Sequence, residues 1–328
     1  MSDPYSKAVE SYKKGDTKKA IKNFKKAADL AEKYGKIKIK ADILQSLAFA
    51  YLLDGNMTEG IKTMKEAVII FDKTKQPIKV IEGLAYIGAI NYKMNKNKLA
   101  LKYYKEAERI IKEKNLYNQC RKIEADICAD MGSIYDKENN FSAALECYNR
   151  AIKLYKKDGD KLGEGRTYLD LALLYYHNEN YNDARSFVHK ALNWLKKSSD
   201  TNSLADCYFL LGKIDFELKN WEKAISEFEK ARALYEVKKN NEGIVESSLW
   251  IGASLIHIED KELEAKKILE KSLTEAKKLK DIRIEGLCLA WLSLLKRKLG
   301  EKDAKKFKEL ALNKLSEIGM EKLMVKIK

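Results

Sequence analysis

The stretch "LLYYHNENYNDA", residues 173–184, brings His177, Glu179 and Asp183 close together along the chain. An imidazole and two carboxylates are ligand types for a metal and partners for acid–base chemistry. Two other stretches invite a similar reading. "GEGRTY", residues 163–168, begins like a phosphate-cradling loop, but it lacks the third glycine and no strand-like run precedes it. "DGDKLG", residues 158–163, resembles a calcium loop, but Leu162 and Leu169 stand where two of the ligands belong. No H-E-x-x-H, no G-x-S-x-G and no Cys–His motif of known spacing is present. The expectation is a protein that is not an enzyme and uses neither cofactor nor metal.

The elements that would have to position such residues are helices. Only two prolines and 16 glycines in 328 residues are too few turn formers for a β-rich fold of this size. Apolar residues recur with a period of 3.6, as in "KAIKNFKKAADLAEKY", and strand-length alternation is absent. The five cysteines form no C-x-x-C pair, and no run of apolar residues suits a leader or a membrane span. A reduced, cytoplasmic setting without membrane insertion is therefore expected. The net charge is +15, from 64 basic and 49 acidic residues, and eight of the 64 are arginine. Lysine is a point charge and lacks the planar fork with which arginine reads bases and grips phosphates. The excess is read first as solvated helix faces.

Small residues repeat in phase. Ala20, Gly60, Ala100, Ala144, Ala184, Ala224, Ala265 and Ala304 lie 40, 40, 44, 40, 40, 41 and 39 residues apart. Seven positions on comes a second set (Ala27, Ala67, Ala107, Ala151, Ala191, Ala231, Ser272, Ala311), and about twelve positions before comes a third that includes Ala8, Ala48, Gly88, Gly132, Ala172, Gly212 and Gly252. Small side chains at matching places let two antiparallel helices approach closely, with larger residues between them filling the gap. Each unit therefore reads as helix, short turn, helix. "LLYYHNENYNDA" falls on such a turn, in register with "AYLLDGNMTEG", "SIYDKENNFSAA" and "KIDFELKNWEKA". Glu179 then matches Gly55, Asn139 and Lys219, so its acidity is not required there. His177 and His257 share a slot two repeats apart, too far to hold one metal between them when repeat axes are spaced by about 10 Å.

The segments "LALLYYHNENYNDARSFVHKAL" and "LGKIDFELKNWEKAISEFEKARALY" carry small slots, turn and aromatic at spacings that resemble the tetratricopeptide repeat family. The period of about 40 is similar to its long variety, found in kinesin light chains, soluble NSF attachment proteins, Gα-binding polarity scaffolds and bacterial peptide-sensing regulators. The proline that commonly ends a standard repeat is missing. The resemblance implies an all-α, right-handed superhelical solenoid of about eight helix-turn-helix repeats. Their approximate bounds are 1–36, 37–76, 77–116, 117–160, 161–200, 201–240, 241–281 and 282–318, with 319–328 as a C-terminal cap or tail and the whole chain as one array. Asp3 and Pro4 suit the start of the first helix. Four extra residues near 112–127 would lengthen a helix or a loop, and either could alter pitch or mark a hinge.

The same resemblance places the first helix of each repeat on a concave face and gives the positions of its groove side chains. Among them are Tyr5, Tyr12, Phe49, Leu52, Tyr92, Lys93, Lys137, Tyr176, His177, Phe209, Lys213 and Phe216. The asparagines of the carboxylate clamp found in chaperone-binding relatives are absent from these slots. An apolar, aromatic lining with a basic rim suits an amphipathic or extended segment of a partner protein that carries acidic residues. The expected function is a protein-binding scaffold or adaptor. The alternative is a basic nucleic-acid- or ribosome-associated factor using the lysine-rich faces at 13–26 and 296–308, with salt-dependent binding.

Overall fold

The computed structural model describes residues 3–320 and Met324. The expected cap or tail over 319–328 lies, beyond Met320, almost entirely outside the described residues. The described residues form sixteen helices and divide into two compact units, Met1–Asp160 and Lys161–Lys328. The first holds α1 (Pro4–Lys13), α2 (Thr17–Lys33), α3 (Ile37–Leu53), α4 (Met57–Lys73), α5 (Pro77–Lys93), α6 (Asn97–Glu113), α7 (Arg121–Lys137) and α8 (Phe141–Asp158). The second holds α9 (Lys161–His177), α10 (Tyr181–Leu195), α11 (Thr201–Glu217), α12 (Trp221–Lys238), α13 (Asn241–Leu255), α14 (Glu262–Leu279), α15 (Ile282–Lys298) and α16 (Ala304–Ser316). Odd- and even-numbered helices pair as the first and second members of eight helix-turn-helix repeats. None of the described helices is long and apolar enough to cross a membrane.

Local chemistry sets the helix boundaries. Asp16, Asn56, Asn140, Asn180, Asp200, Asn240 and Asp281 each cap a helix by accepting from the backbone N–H three residues on. Asp3 caps α1 ahead of Pro4, as the sequence suggested. Within each repeat the turn needs one residue of positive φ, supplied by Gly15, Gly55, Asn95, Asn139, Glu179, Lys219, Asp260 and Gly300. Glu179, at φ 59°, is thus a backbone position in a turn. Asp183 is the residue whose N–H is received by Asn180, and the Asn180 amide returns a bond to its carboxylate at 2.6 Å. The opening constellation is a helix junction. Among the described residues no three His, Cys, Asp or Glu side chains converge as a metal would require.

The small slots are where paired helices touch. Ala20, Ala100, Ala144, Ala184, Ala224 and Ala265 have no exposed surface, whereas Ala304, in the last repeat, is half-exposed. The third set shows a size match. A Cβ placed on Gly88, Gly132 or Gly212 would come within 2.4, 2.6 and 2.6 Å of the rings of Tyr104, Tyr148 and Phe228. At the same slot Ala48 and Ala172 have unringed partners, Met64 and Val188, at the matching place on the second helix. At these three glycines the ring of the second helix takes the space of a Cβ, although the series also holds Ala8 opposite Phe24 and Gly252 against Leu269.

The additional residues in the first unit lie in a connection. Helices α6 and α7 have 17 residues each, as do α2 to α5, while the link between them covers 114–120 against 34–36 and 74–76 in earlier repeats. Arg150 on α8 clamps across that link. It pairs with Glu108 on α6 at 2.6 Å and with the buried Glu124 on α7. Cys120 at the end of the link is fully buried.

Two outcomes follow from these packing rules. Gly212→Ala is expected to lower stability by about 1–3 kcal/mol through overpacking against Phe228. In a double-mutant cycle followed by denaturant unfolding, Gly212→Ala should cost less in a Phe228→Val background, which copies the Ala172–Val188 pair, than in the parent. Glu179→Gly should hold or raise stability, by up to about 1 kcal/mol, because glycine accepts the left-handed backbone that costs other residues. A marked loss would mean that the carboxylate itself holds the turn.

Candidate functional site

In the first unit, most of the expected groove residues are engaged with neighbouring side chains. Tyr5 and Tyr12 set their rings edge-on to Phe24, with centroids 5.9 and 6.5 Å away. Phe49 stands edge-on to Tyr86 at 4.7 Å, and the Tyr86 hydroxyl donates to the Ala48 carbonyl at 2.9 Å. Burial, and secondarily the nearby Tyr12, pushes the Tyr86 phenol well above its ordinary pKa. The Lys137 ammonium sits 4.3 Å from the centre of the Tyr92 ring, joining α7 to α5 through a cation–π contact. Leu52 is half-buried and Lys93 is exposed.

The second unit contains an open cavity of about 590 Å³ on the first-helix wall formed by α9, α11 and α13. Leu169, Leu173 and Tyr176 from α9, with Phe209 and Leu210 from α11, give it an apolar floor. Four of the expected groove residues line it: Tyr176, His177, Phe209 and Lys213. The Tyr176 hydroxyl donates to Glu217 at 3.2 Å, and burial, followed by the Glu217 charge, raises its pKa strongly. Phe209 rests against Phe228 at 5.4 Å, so one face supports the core while another lines the cavity. Lys213 lies 3.3 Å from the centre of the Trp250 ring.

Phe216 is placed differently from expectation. It is 9% exposed and packs among Trp221, Trp250 and Trp291, with ring centroids 5.0 to 5.6 Å away. Three tryptophans from three successive repeats enclose it, which makes Phe216 part of the core. His257 lies at the edge of this cluster, stacked on Trp221 at 4.1 Å with planes 14° apart. Burial, then the charges of Lys298 and Lys219, hold its pKa below the usual imidazole value.

The slot-based reading missed a charged row. Arg166, Asp170, Ser203, Asp206 and Glu246 also line the cavity, so carboxylates share its rim with the expected His177 and Lys213. Their signal was in the sequence. Arg166, Asp206 and Glu246 recur at intervals of 40, three positions before Leu169, Phe209 and Leu249, on the same helix face. Several of these charges are already answered. Arg166 donates to Asp200 at 2.7 Å, and Glu246 takes both arms of Arg283 at 2.6 and 2.8 Å. Burial would raise the Asp200 carboxyl, but bonds from Ser203 and Arg166 outweigh it and hold it low. Asp206 accepts a bond from the Tyr235 hydroxyl and remains exposed on the wall. Desolvation of the carboxylate is the main cause that raises its pKa, opposed by the Tyr235 bond, with the charges of Asp200 and Glu246 adding to the rise.

A wall of paired helices stacked repeat upon repeat, with a groove on its first helices, defines an α-helical repeat protein. Models of the tetratricopeptide repeat match residues 163–236 and 125–158 of the chain. Among solved structures it is similar to a signal transduction ATPase with numerous domains, carrying a tetratricopeptide repeat sensor, from Pyrococcus horikoshii (18% identity, TM-score 0.70). That match covers 93% of this chain and 46% of the other, so the chain spans about half the length of that protein. The apo form of RapI is similar over 85% of this chain and 99% of its own (13% identity, TM-score 0.68). The apo quorum sensor NprR from B. thuringiensis is similar over 99% and 97% (15% identity, TM-score 0.64). At these identities the likeness is one of fold. No curated protein matches the sequence.

The depressed pKa of His257 gives a pH dependence with a defined sign. Below the unfolded imidazole value the unfolded chain binds the proton that the folded chain resists, so stability falls as pH drops from about 7 through the lowered folded value. His257→Phe keeps a ring on Trp221 and removes the titration. In urea unfolding between neutral pH and pH about 5, the variant should lose less stability than the parent. Equal losses would show that the imidazole protonates freely in the folded protein.

Proposed function

We propose that this chain is a non-enzymatic scaffold that holds an extended or amphipathic segment of a partner protein against the α9–α11–α13 wall of its second unit. The observation that carries this reading is the open cavity, with a leucine and aromatic floor bordered by charged groups. Such a surface matches peptide capture, in which apolar anchors supply affinity and polar groups set register. A Rap conjugation gene regulator solved in complex with the Phr* peptide shares the fold at TM-score 0.59 and 14% identity over 88% of this chain, which adds support by analogy. Burial pushes the Cys147 thiol up to about 11 and the Cys128 thiol to about 12, so both stay protonated at neutral pH. A cytoplasmic setting goes with these free cysteines.

The test is selection of a displayed peptide library on the full chain, followed by hydrogen exchange of the chain with the selected peptides. Protection of amides in α9, α11 and α13, together with binding that survives raised salt and weakens about tenfold or more in Phe209→Ala, is the expected result. Phe209→Ala also loosens a contact to Phe228, so its melting curve must accompany the binding curve. Protection confined to other helices would overturn the groove assignment. Capture only of polyanions, lost at moderate salt and removed by nuclease, would replace it with the nucleic-acid reading.

A further inference from the structure

We infer that the wall of the second unit selects a cationic side chain, lysine or arginine, within the bound segment, and that Asp206 is the carboxylate that receives it. The inference rests on the peptide-binding reading above and supplies the charge of the ligand, which differs from the acidic segment expected from a basic rim on the groove. The bonding of the charged groups beside Asp206 carries it, in a cavity that Asp170 and Lys213 also line. Glu246 is held by Arg283 in a two-pronged pair, and Arg166 is drawn to Asp200, which Ser203 also binds at 2.6 Å. Asp206 has a neutral partner, the Tyr235 hydroxyl, and no ammonium or guanidinium of the described residues is bonded to it. A carboxylate left with one neutral donor keeps further acceptor positions, and a cation supplies the stronger, charge-assisted bond. The groups around it add to this: Asp200 and Glu246 act on Asp206 as like charges, and a bound cation relieves that repulsion.

Position argues for a side chain within the segment over its terminal ammonium. Asp206 lies on α11, the middle helix of the three. The cavity extends from it toward Leu169, Leu173 and Tyr176 on α9 and toward Glu246 on α13. A segment crossing the wall therefore has chain on both sides of Asp206. The apolar floor beside it suits the methylene stem of lysine or arginine, whose charged tip then meets the carboxylate.

The probes are short synthetic peptides of alanine, leucine and phenylalanine with one central lysine, compared with the same peptides carrying norleucine or glutamate there. Norleucine keeps the stem and removes the ammonium. Binding to the full chain is followed by fluorescence anisotropy, with the amino terminus free or acetylated. The lysine peptide should bind roughly ten- to a hundredfold more tightly than the norleucine one, with glutamate weakest and acetylation without effect. Asp206→Asn, which keeps an acceptor for Tyr235, should abolish the lysine preference and bring the lysine and norleucine peptides to similar affinity. Equal binding of lysine and norleucine peptides, a glutamate preference, or a preference that survives Asp206→Asn or disappears on acetylation overturns the inference alone, provided Phe209→Ala still weakens binding. If no peptide binds, or Phe209→Ala changes nothing, the underlying peptide-binding reading falls as well.

Discussion

The structure depends on how closely the two helices of a repeat approach. That distance is set where a glycine or alanine on the first helix meets the large side chain of the second, as at Gly88–Tyr104, Gly132–Tyr148 and Gly212–Phe228. Tyr104, Tyr148 and Phe228 are fully or almost fully buried there, so each pair contributes most of a ring's apolar surface to the core. A pair formed in this way still has uncovered apolar faces, which it can cover only against the next pair. The inter-repeat contacts are accordingly of two kinds, aromatic layers such as Phe216 among three tryptophans and polar clamps such as Arg185 to Asp215 at 2.8 Å. Close approach within pairs fixes where the first helices lie, and that in turn aligns one face of α9, α11 and α13 into a wall.

Much of this was legible because the constraints act locally and recur. A cap needs a short acceptor side chain, a left-handed turn residue favours glycine or asparagine, and a close contact needs a small residue; each leaves a letter at a fixed place in most repeats, with exceptions such as Glu179 and Lys219 in the turn. The reading of His177, Glu179 and Asp183 as a junction followed from comparing that junction with its counterparts. Other features depended on contacts between repeats, which no single repeat records. Phe216 occupies a groove slot by register, but Trp221, Trp250 and Trp291 close over it from neighbouring elements. The insertion near 112–127 had two readings of equal length, and helix bounds placed it in the 114–120 connection.

The charged row on the wall was overlooked for a physical reason. Polar residues on a helix resemble a solvated face until the orientation of that face is known. Asp206 and Glu246 match the acidic residues that intersperse lysines elsewhere along the chain, and only the alignment of α11 with its neighbours brings them to one cavity. Slot assignments taken from apolar spacing also favour residues that anchor a ligand over those that orient it.

Net charge and groove charge therefore act on different scales. The excess of +15 is spread over the sequence and governs long-range attraction, which physiological salt screens over about 8 Å. A segment already lying on the wall is governed by what lies within a few ångströms, where Glu246 is compensated by Arg283 and Asp206 is met by a hydroxyl. A basic protein can for this reason present an acidic contact to its ligand. The global charge then disfavours strongly cationic partners as a whole, while the local site favours a single lysine or arginine in an otherwise neutral or acidic segment. The two scales together restrict the ligand more than either does, because the partner must bring one positive charge to the right place without carrying many.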